Sequence, residues 1–245
     1  MSGYDYPTFV EAVAVLLNYD QTIVNPASAA PSSNAAFNVA LPRAIEYSEQ
    51  RIYRELDLVS TSETDTGAFV PNNRKLTLPT SKGVFVVVEQ IAVLLSGVRQ
   101  PPLLPASREF VEATWPAEAA VSASSQPLYW TLLDNTTALV GPSPGTAFGA
   151  EVAGTMRPAP LSATNTTTPL TTLLPDLFLA GSLVWLTAYQ RDWGAQSEDP
   201  KMAQSWSNTY DILSRSAGLE ESRKQFQSQG WSARAPMPLA TPPQT

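Results

Sequence analysis

Residues Gly141-Pro142-Ser143-Pro144-Gly145 form a literal G-x-S-x-G. In α/β-hydrolases that string presents a nucleophilic serine on a sharp strand-to-helix turn. A serine hydroxyl becomes a useful nucleophile only when a base takes its proton, and in the Ser-His-Asp arrangement the base is histidine. The chain contains no histidine. Pro144 also confines Ser143 to extended backbone, and no helical period follows at Phe148. The stretch therefore predicts a Pro/Gly turn that ends a strand.

The same composition excludes further chemistry. With neither histidine nor cysteine, a zinc site is not expected and only all-oxygen cation sites are left. Disulfides and thiol nucleophiles are absent as well. No Walker A string and no dinucleotide fingerprint occurs. One pair of acids, Glu46 and Glu49, could suggest two-carboxylate hydrolysis. The two lie on one helical segment rather than across a cleft, so a solvated or subunit-facing helix surface is the expected role. Neither a catalytic residue nor a metal ligand nor a cofactor is expected.

The elements that must carry these residues fall into three blocks. Thr8 and Glu11 predict a capping box that starts a helix with Phe9, Val13, Leu16 and Leu17 at helical spacing. Asn25 to Asn34 reads as a Pro/Ser/Ala loop. In "LPRAIEYSEQRIYRELDL", Pro42 suits a first helical position. Leu41, Ile45, Ile52 and Leu56 share a stripe there, with Ser48 filling its gap, and Arg51 and Glu55 form an i,i+4 pair.

Strand character then dominates from Val59 to about Thr168. "GVFVVVEQIAVLL" is rich in β-branched residues. "PASREFVEATW" reads as a short helix, and "PLYWTLL" and "TTALV" read as a hairpin around Asp134-Asn135. "AEVAGTMRPAPLS" is a further strand. Helical period returns near Leu170. The segment from about Pro175 to Trp193 is apolar nearly all round and predicts a central core helix, and it is shorter than a membrane span. Asp199-Pro200 starts another helix, with Met202, Trp206, Tyr210 and Leu213 on its inner face and Gly218 weakening or breaking it. The Pro-rich end carries the apolar anchors Trp231, Met237 and Leu239 and reads as an extended segment that docks on a partner.

The expected fold is thus α+β. A helical core (1–58 and 169–228) comes from both chain ends, a β-rich region (59–168) is inserted, and 229–245 is an extended tail. The length of 245 residues is ample for such a core. Charged residues are only 15% of the chain, which suits a subunit with much surface buried against neighbours. A net charge of −7 supplies no bulk field for gripping DNA, yet a like-charged surface can surround DNA without sticking to it. No secretory signal is visible at "MSGYDYPTF".

Three stretches, in their order and spacing, carry a resemblance. They are "RAIEYSEQRIYRELDL" (43–58), "YWTLLDNTTALVGPSP" (129–144) and "RPAPLSATNTTTPLTTLLPDLFLAGSLVWLTAYQRD" (157–192). They resemble the amphipathic second helix, the hairpin, and the exit strand with its following apolar helix of the head-to-tail adaptor (connector, or neck) proteins of tailed bacteriophages. The resemblance spans most of residues 1–228. It implies a structural virion protein, assembled in the host cytoplasm and located at the neck, with no membrane partner. It implies a homo-oligomeric ring, usually of twelve copies, under the portal protein. Such a ring extends the channel through which double-stranded DNA passes without specific binding. It also provides the platform for the tail tube, nozzle or another neck protein. The resemblance further implies that the C-terminal segment reaches the portal, which points to Trp231, Arg234, Met237 and Leu239. Arg43, Glu46, Arg51 and Arg54 are the expected inter-subunit or channel-facing set. Two other readings compete: a different neck component, such as a head-completion or stopper protein, and a glycan-binding β module.

Overall fold

A computed structural model describes residues 3–17, 35–189 and 200–228. The chain divides into two compact units, one made of residues 1–59 with 160–245 and one of residues 60–159. The first is helical and the second is built of strands, so the architecture is α+β. The segment after Ala159 already belongs to the helical unit, nine residues earlier than strand propensity suggests.

In the helical unit, α1 (Tyr6–Leu16) starts one turn before the expected cap. Asp5 is the N-cap and Thr8 is its third helical residue. The Thr8 N–H donates to Asp5 Oδ1 at 3.0 Å, and the Asp5 N–H donates to Thr8 Oγ1 at 3.0 Å. Thr8 can close a capping box from either end, and Pro7, suited to the first turn, selects the earlier start. Phe9, Val10, Val13, Ala14 and Leu17 are buried, whereas Leu16 turns outward.

Helix α2 (Ala35–Glu55) begins before Pro42, which lies inside it rather than at its start. Proline removes one backbone donor but does not forbid a helix on either side, and burial of Phe37, Ala40 and Leu41 holds the added turns to the core. A short α4 (Pro169–Leu173), capped by Thr168, precedes α5 (Pro175–Tyr189). As expected, α5 is buried nearly all round, through Leu177, Phe178, Ala180, Gly181, Ser182, Leu183 and Leu186. It packs on α1, on α2 and on α6 (Pro200–Ser228). Phe9 stacks on Phe178 with ring centroids 4.6 Å apart.

Gly218 does not interrupt α6. An interior glycine lowers helix stability by about 1 kcal/mol relative to alanine. Burial of Tyr210, Ala217 and Glu221 on the same helix outweighs that.

The β unit holds two four-stranded sheets. One has the order β1 (Ser62–Ala68), β8 (Gly149–Pro158), β3 (Gly83–Leu95), β4 (Val98–Pro102). The other has β2 (Lys75–Thr77), β7 (Thr137–Gly141), β6 (Tyr129–Leu132), β5 (Leu104–Pro105). All pairings are antiparallel except β5 with β6. Phe69, Leu76, Phe85, Ile91, Trp130, Val140, Val152 and Met156 fill one core between the sheets. The long strand β3 shifts register against β8 at Phe85/Val87 and at Val88/Gln90. Such bulges bend and twist a strand locally. The β3–β4 turn places Ser96 and Gly97 at φ of 50° and 81°, the two successive positive φ values that a tight hairpin turn requires. Helix α3 (Arg108–Thr114), capped by Ser107, covers β6 and β7.

Candidate functional site

The G-x-S-x-G stretch holds no nucleophile. Ser143 is buried, and its hydroxyl donates to the Glu118 carbonyl at 2.5 Å. Its own carbonyl accepts from Ser125 Oγ at 2.8 Å, the Pro144 carbonyl accepts from the Asn72 N–H, and the Gly145 N–H donates to the Ser125 carbonyl. This is the turn after β7 that composition suggested. Its polar atoms tie down the 118–125 segment and leave no hydroxyl free to attack. Among the described residues, no group of three or more His, Cys, Asp or Glu could hold a metal ion.

Three aromatic residues of the β unit, Phe110, Trp115 and Tyr129, pack on one another. Trp115 stacks on Tyr129 at 5.5 Å and 30°, and Phe110 packs edge-on to both rings. The Trp115 carbonyl accepts from Arg74 Nη1. One face of Trp115 is covered by Tyr129, and its ring also lies against Gly141.

The polar groups of the helical unit fall into two sets. The first set, buried to partly exposed, joins its helices to one another. Ser48 faces Gly181 so closely that a Cβ at position 181 would lie 2.4 Å from its Oγ. That hydroxyl donates to the Phe178 carbonyl at 3.2 Å. The Tyr210 hydroxyl donates to Glu55 Oε2 at 2.6 Å, and the Arg51 guanidinium sits 3.9 Å above the Tyr210 ring. Arg51 also pairs with Glu55 at 2.8 Å and with Asp211 at 3.6 Å. Burial, followed by the hydrogen bond to Glu55, raises the Tyr210 phenol above its ordinary range, so it stays neutral and a donor.

Two glutamates in this set have a more specific place. Glu221 is 4% exposed and accepts the Val59 N–H at 3.0 Å, where the chain leaves the helical unit. Glu49 is 5% exposed and accepts the Leu161 N–H at 2.9 Å, where the chain returns. Within the helical unit, a matching pair of glutamates thus holds the two stretches of chain that flank the insertion to the helices. The expectation that Glu49 is solvated is overturned. It points inward one residue away from Ser48 on the buried side, while Glu46 is exposed. Desolvation lifts the Glu49 carboxyl from 4.5 to about 7, against the Leu161 N–H, which favours the charged form. Glu221 is further neutralised by Lys224 Nζ at 2.7 Å.

The second set is exposed. Val39, Arg43, Glu46, Tyr47, Gln50 and Arg54 share one outward side of α2, through i+3 and i+4 steps. Arg54 Nε donates to the Gln50 carbonyl at 2.8 Å, and Gln50 Nε2 donates to Glu46 at 3.0 Å. Of the four α2 residues singled out from the sequence, the structure groups Arg43, Glu46 and Arg54 on this side. Arg51 stands apart, engaged with α6. Trp231, Arg234, Met237 and Leu239 lie outside the described residues. Glu221 and Asp65 were not legible as buried acids. Asp65, 4% exposed, takes N–H and Oγ–H from Ser81 at 2.9 and 2.5 Å. Burial would raise its pKa, but these bonds outweigh burial and hold it below the ordinary value.

Among the described residues, a helical unit drawn from two stretches of the chain carries an inserted unit of two sheets. Residues 4–238 match the model of the SU10 adaptor protein family, and the chain belongs to this family of phage head-to-tail adaptors. It is thereby an adaptor structural protein of a bacteriophage. No curated protein matches it. Among the described residues, no helix is long and apolar enough to cross a membrane.

Proposed function

We propose that this chain forms the ring that joins portal to tail at the phage neck. About twelve copies, the number the family resemblance implies, stack under the portal. They extend the channel through which DNA passes and offer their far side to the tail. The observation that carries this reading is that one adaptor family model spans residues 4–238, so the helical unit, the inserted sheets and most of the Pro-rich end fall within a single match. The net charge of −7 suits a wall along which DNA slides, because phosphates and wall repel. The outward side of α2, with Arg43, Glu46 and Arg54 and with Arg51 behind it, faces a neighbouring subunit or the channel. Trp231, Arg234, Met237 and Leu239 reach the portal, with the prolines limiting the entropy lost on docking.

Electron microscopy of this chain co-expressed with the portal protein of the same phage tests the reading. A second ring stacked on the portal is expected, and it disappears when residues 229–245 are deleted. A ring that survives the deletion removes the role given to the tail. No association with the portal overturns the function.

A further inference from the structure

We propose that the outer side of α6, centred on Ile212 and Leu219, docks on α1 of a second copy of this chain, at Glu11, Val15 and Leu16. Ile212 and Leu219 are 68% and 64% exposed. They are seven residues apart, a spacing that returns to the same side of a helix, and Phe226 repeats it. Large apolar residues set in one line differ from a single exposed leucine, which needs no partner.

The charges on this helix narrow the choice of occupant. Arg215 and Arg223 flank the two apolar residues at i+3 and i+4. Neither has an ion-pair partner among the described residues. The acids nearby are already engaged, Asp211 with Arg51 and Glu220 and Glu221 with Lys224. Two such faces brought together would set arginine against arginine, which disfavours a symmetric pair. The occupant must be a different surface with acidic character.

Two exposed helix sides in the unit are apolar enough. The α2 side joins Val39 and Tyr47 to two arginines, Arg43 and Arg54, against one acid, Glu46, and its balance is positive. The α1 side joins Val15 and Leu16 to Glu11, has Asp5 at its cap, and has no basic residue between Tyr6 and Leu16. Only the second complements Arg215 and Arg223. Both α1 and α6 pack on α5, so one copy can offer both faces to two different neighbours. Such a head-to-tail contact is the heterologous kind from which rings are built when the rotation closes. The inference rests on the ring reading above.

The test uses the absence of cysteine from the chain. Val15→Cys and Leu219→Cys are introduced together, and the chain is co-expressed with the portal under conditions where the unmodified chain gives stacked rings. Mild oxidation is expected to produce a covalent ladder of subunits, and Leu219→Cys alone is expected to give none. Adding Arg215→Glu and Arg223→Glu should reduce the ladder by about tenfold, and Glu11→Arg should restore it. Rings on the portal with no ladder overturn the contact and leave the adaptor function standing. A covalent dimer from Leu219→Cys alone overturns it in favour of a symmetric pair. Protection of Cys-substituted position 219 from a maleimide in the dilute chain, relieved by deleting residues 229–245, assigns the face to the chain's own end and also overturns it. If the unmodified chain forms no ring, the adaptor reading falls, and the contact with it.

Discussion

The helical unit and the β unit hold themselves together over different lengths of chain. In the helical unit four side-chain bonds join residues 112 to 162 positions apart. Ser48 bonds Phe178, Glu49 bonds Leu161, Tyr210 bonds Glu55 and Glu221 bonds Val59. In the β unit the side-chain bonds span less, 16 positions for Asp65 with Ser81, 25 for Ser143 with Glu118 and 41 for Arg74 with Trp115. The difference follows from chain order. A unit made from two separated stretches has to be joined across its insertion, whereas a contiguous unit can be joined over shorter spans. Loop closure disfavours the long-range bonds entropically, and two of the four, Ser48 with Phe178 and Glu49 with Leu161, are buried, where each bond counts for more.

The comparison can be broken or sharpened by substitution. The largest effect is expected for Phe178→Ala, which leaves a cavity beside Phe9 and removes the stacked pair. A fully buried aromatic replaced by alanine destabilises by about 3–5 kcal/mol. Urea unfolding followed by helix circular dichroism checks it, and the strand signal should survive to higher urea than the helix signal if the two units are separately held.

Next in size is a pH effect at Glu49. Its folded-state pKa of about 7 lies above the unfolded value of 4.5. The folded state therefore binds the extra proton between these values, and stability falls as pH rises from 4.5 through 7. Glu49→Gln keeps an acceptor for the Leu161 N–H without the charge. It should be more stable than the parent by about 2–3 kcal/mol at pH 8, and the gap should close toward pH 4.5. Parallel melts at the two pH values decide it, and a gap of constant size sinks the reading.

Glu221→Ala comes third. It leaves the Val59 N–H without its acceptor and Lys224 with Glu220 alone, a loss of about 1–3 kcal/mol. The amide of Val59 should then exchange with deuterium faster while Leu161 is unaffected. Ser143→Ala should have the smallest effect, about 1 kcal/mol, confined to the β unit. A larger loss spreading to the helices would erase the contrast between local and long-range stitching.

Much of this was legible in the sequence. Periodicity located α2, α5 and α6, the β-branched run gave β3, and the missing histidine disposed of Ser143 as a nucleophile. The alternation from helix to strand and back revealed the insertion. Failures came where two local signals compete. Thr8 can serve as N-cap or as the third helical residue, and only Pro7 and Asp5 together decide. Pro42 looks like a start because proline suits a first helical position, whereas the burial of Phe37 that extends the helix is a tertiary contact. Glu49 was misplaced because helical spacing puts it beside Ser48 on the inward side, and a charged residue there looks wrong until Leu161, 112 positions away, supplies a donor. No local pattern carries that information. Of the exposed set, Arg43, Glu46 and Arg54 were readable from spacing, but not that Arg51 lies over Tyr210.

The two carboxylates at the ends of the insertion also set an order of events during synthesis. The ribosome finishes residues 60–159 before any of α5 or α6 exists. The apolar stripe of α2, through Leu41, Ile45 and Ile52, must wait for about 120 further residues before α5 arrives to cover it, roughly 6–24 s at ordinary translation rates. Glu49 meets its donor first, when residue 161 emerges, and Glu221 captures Val59 only near the end of the chain. Chain order thus has α2 wait uncovered while the β unit is made, and α6, synthesised later, is what reaches back to Glu55 and Val59.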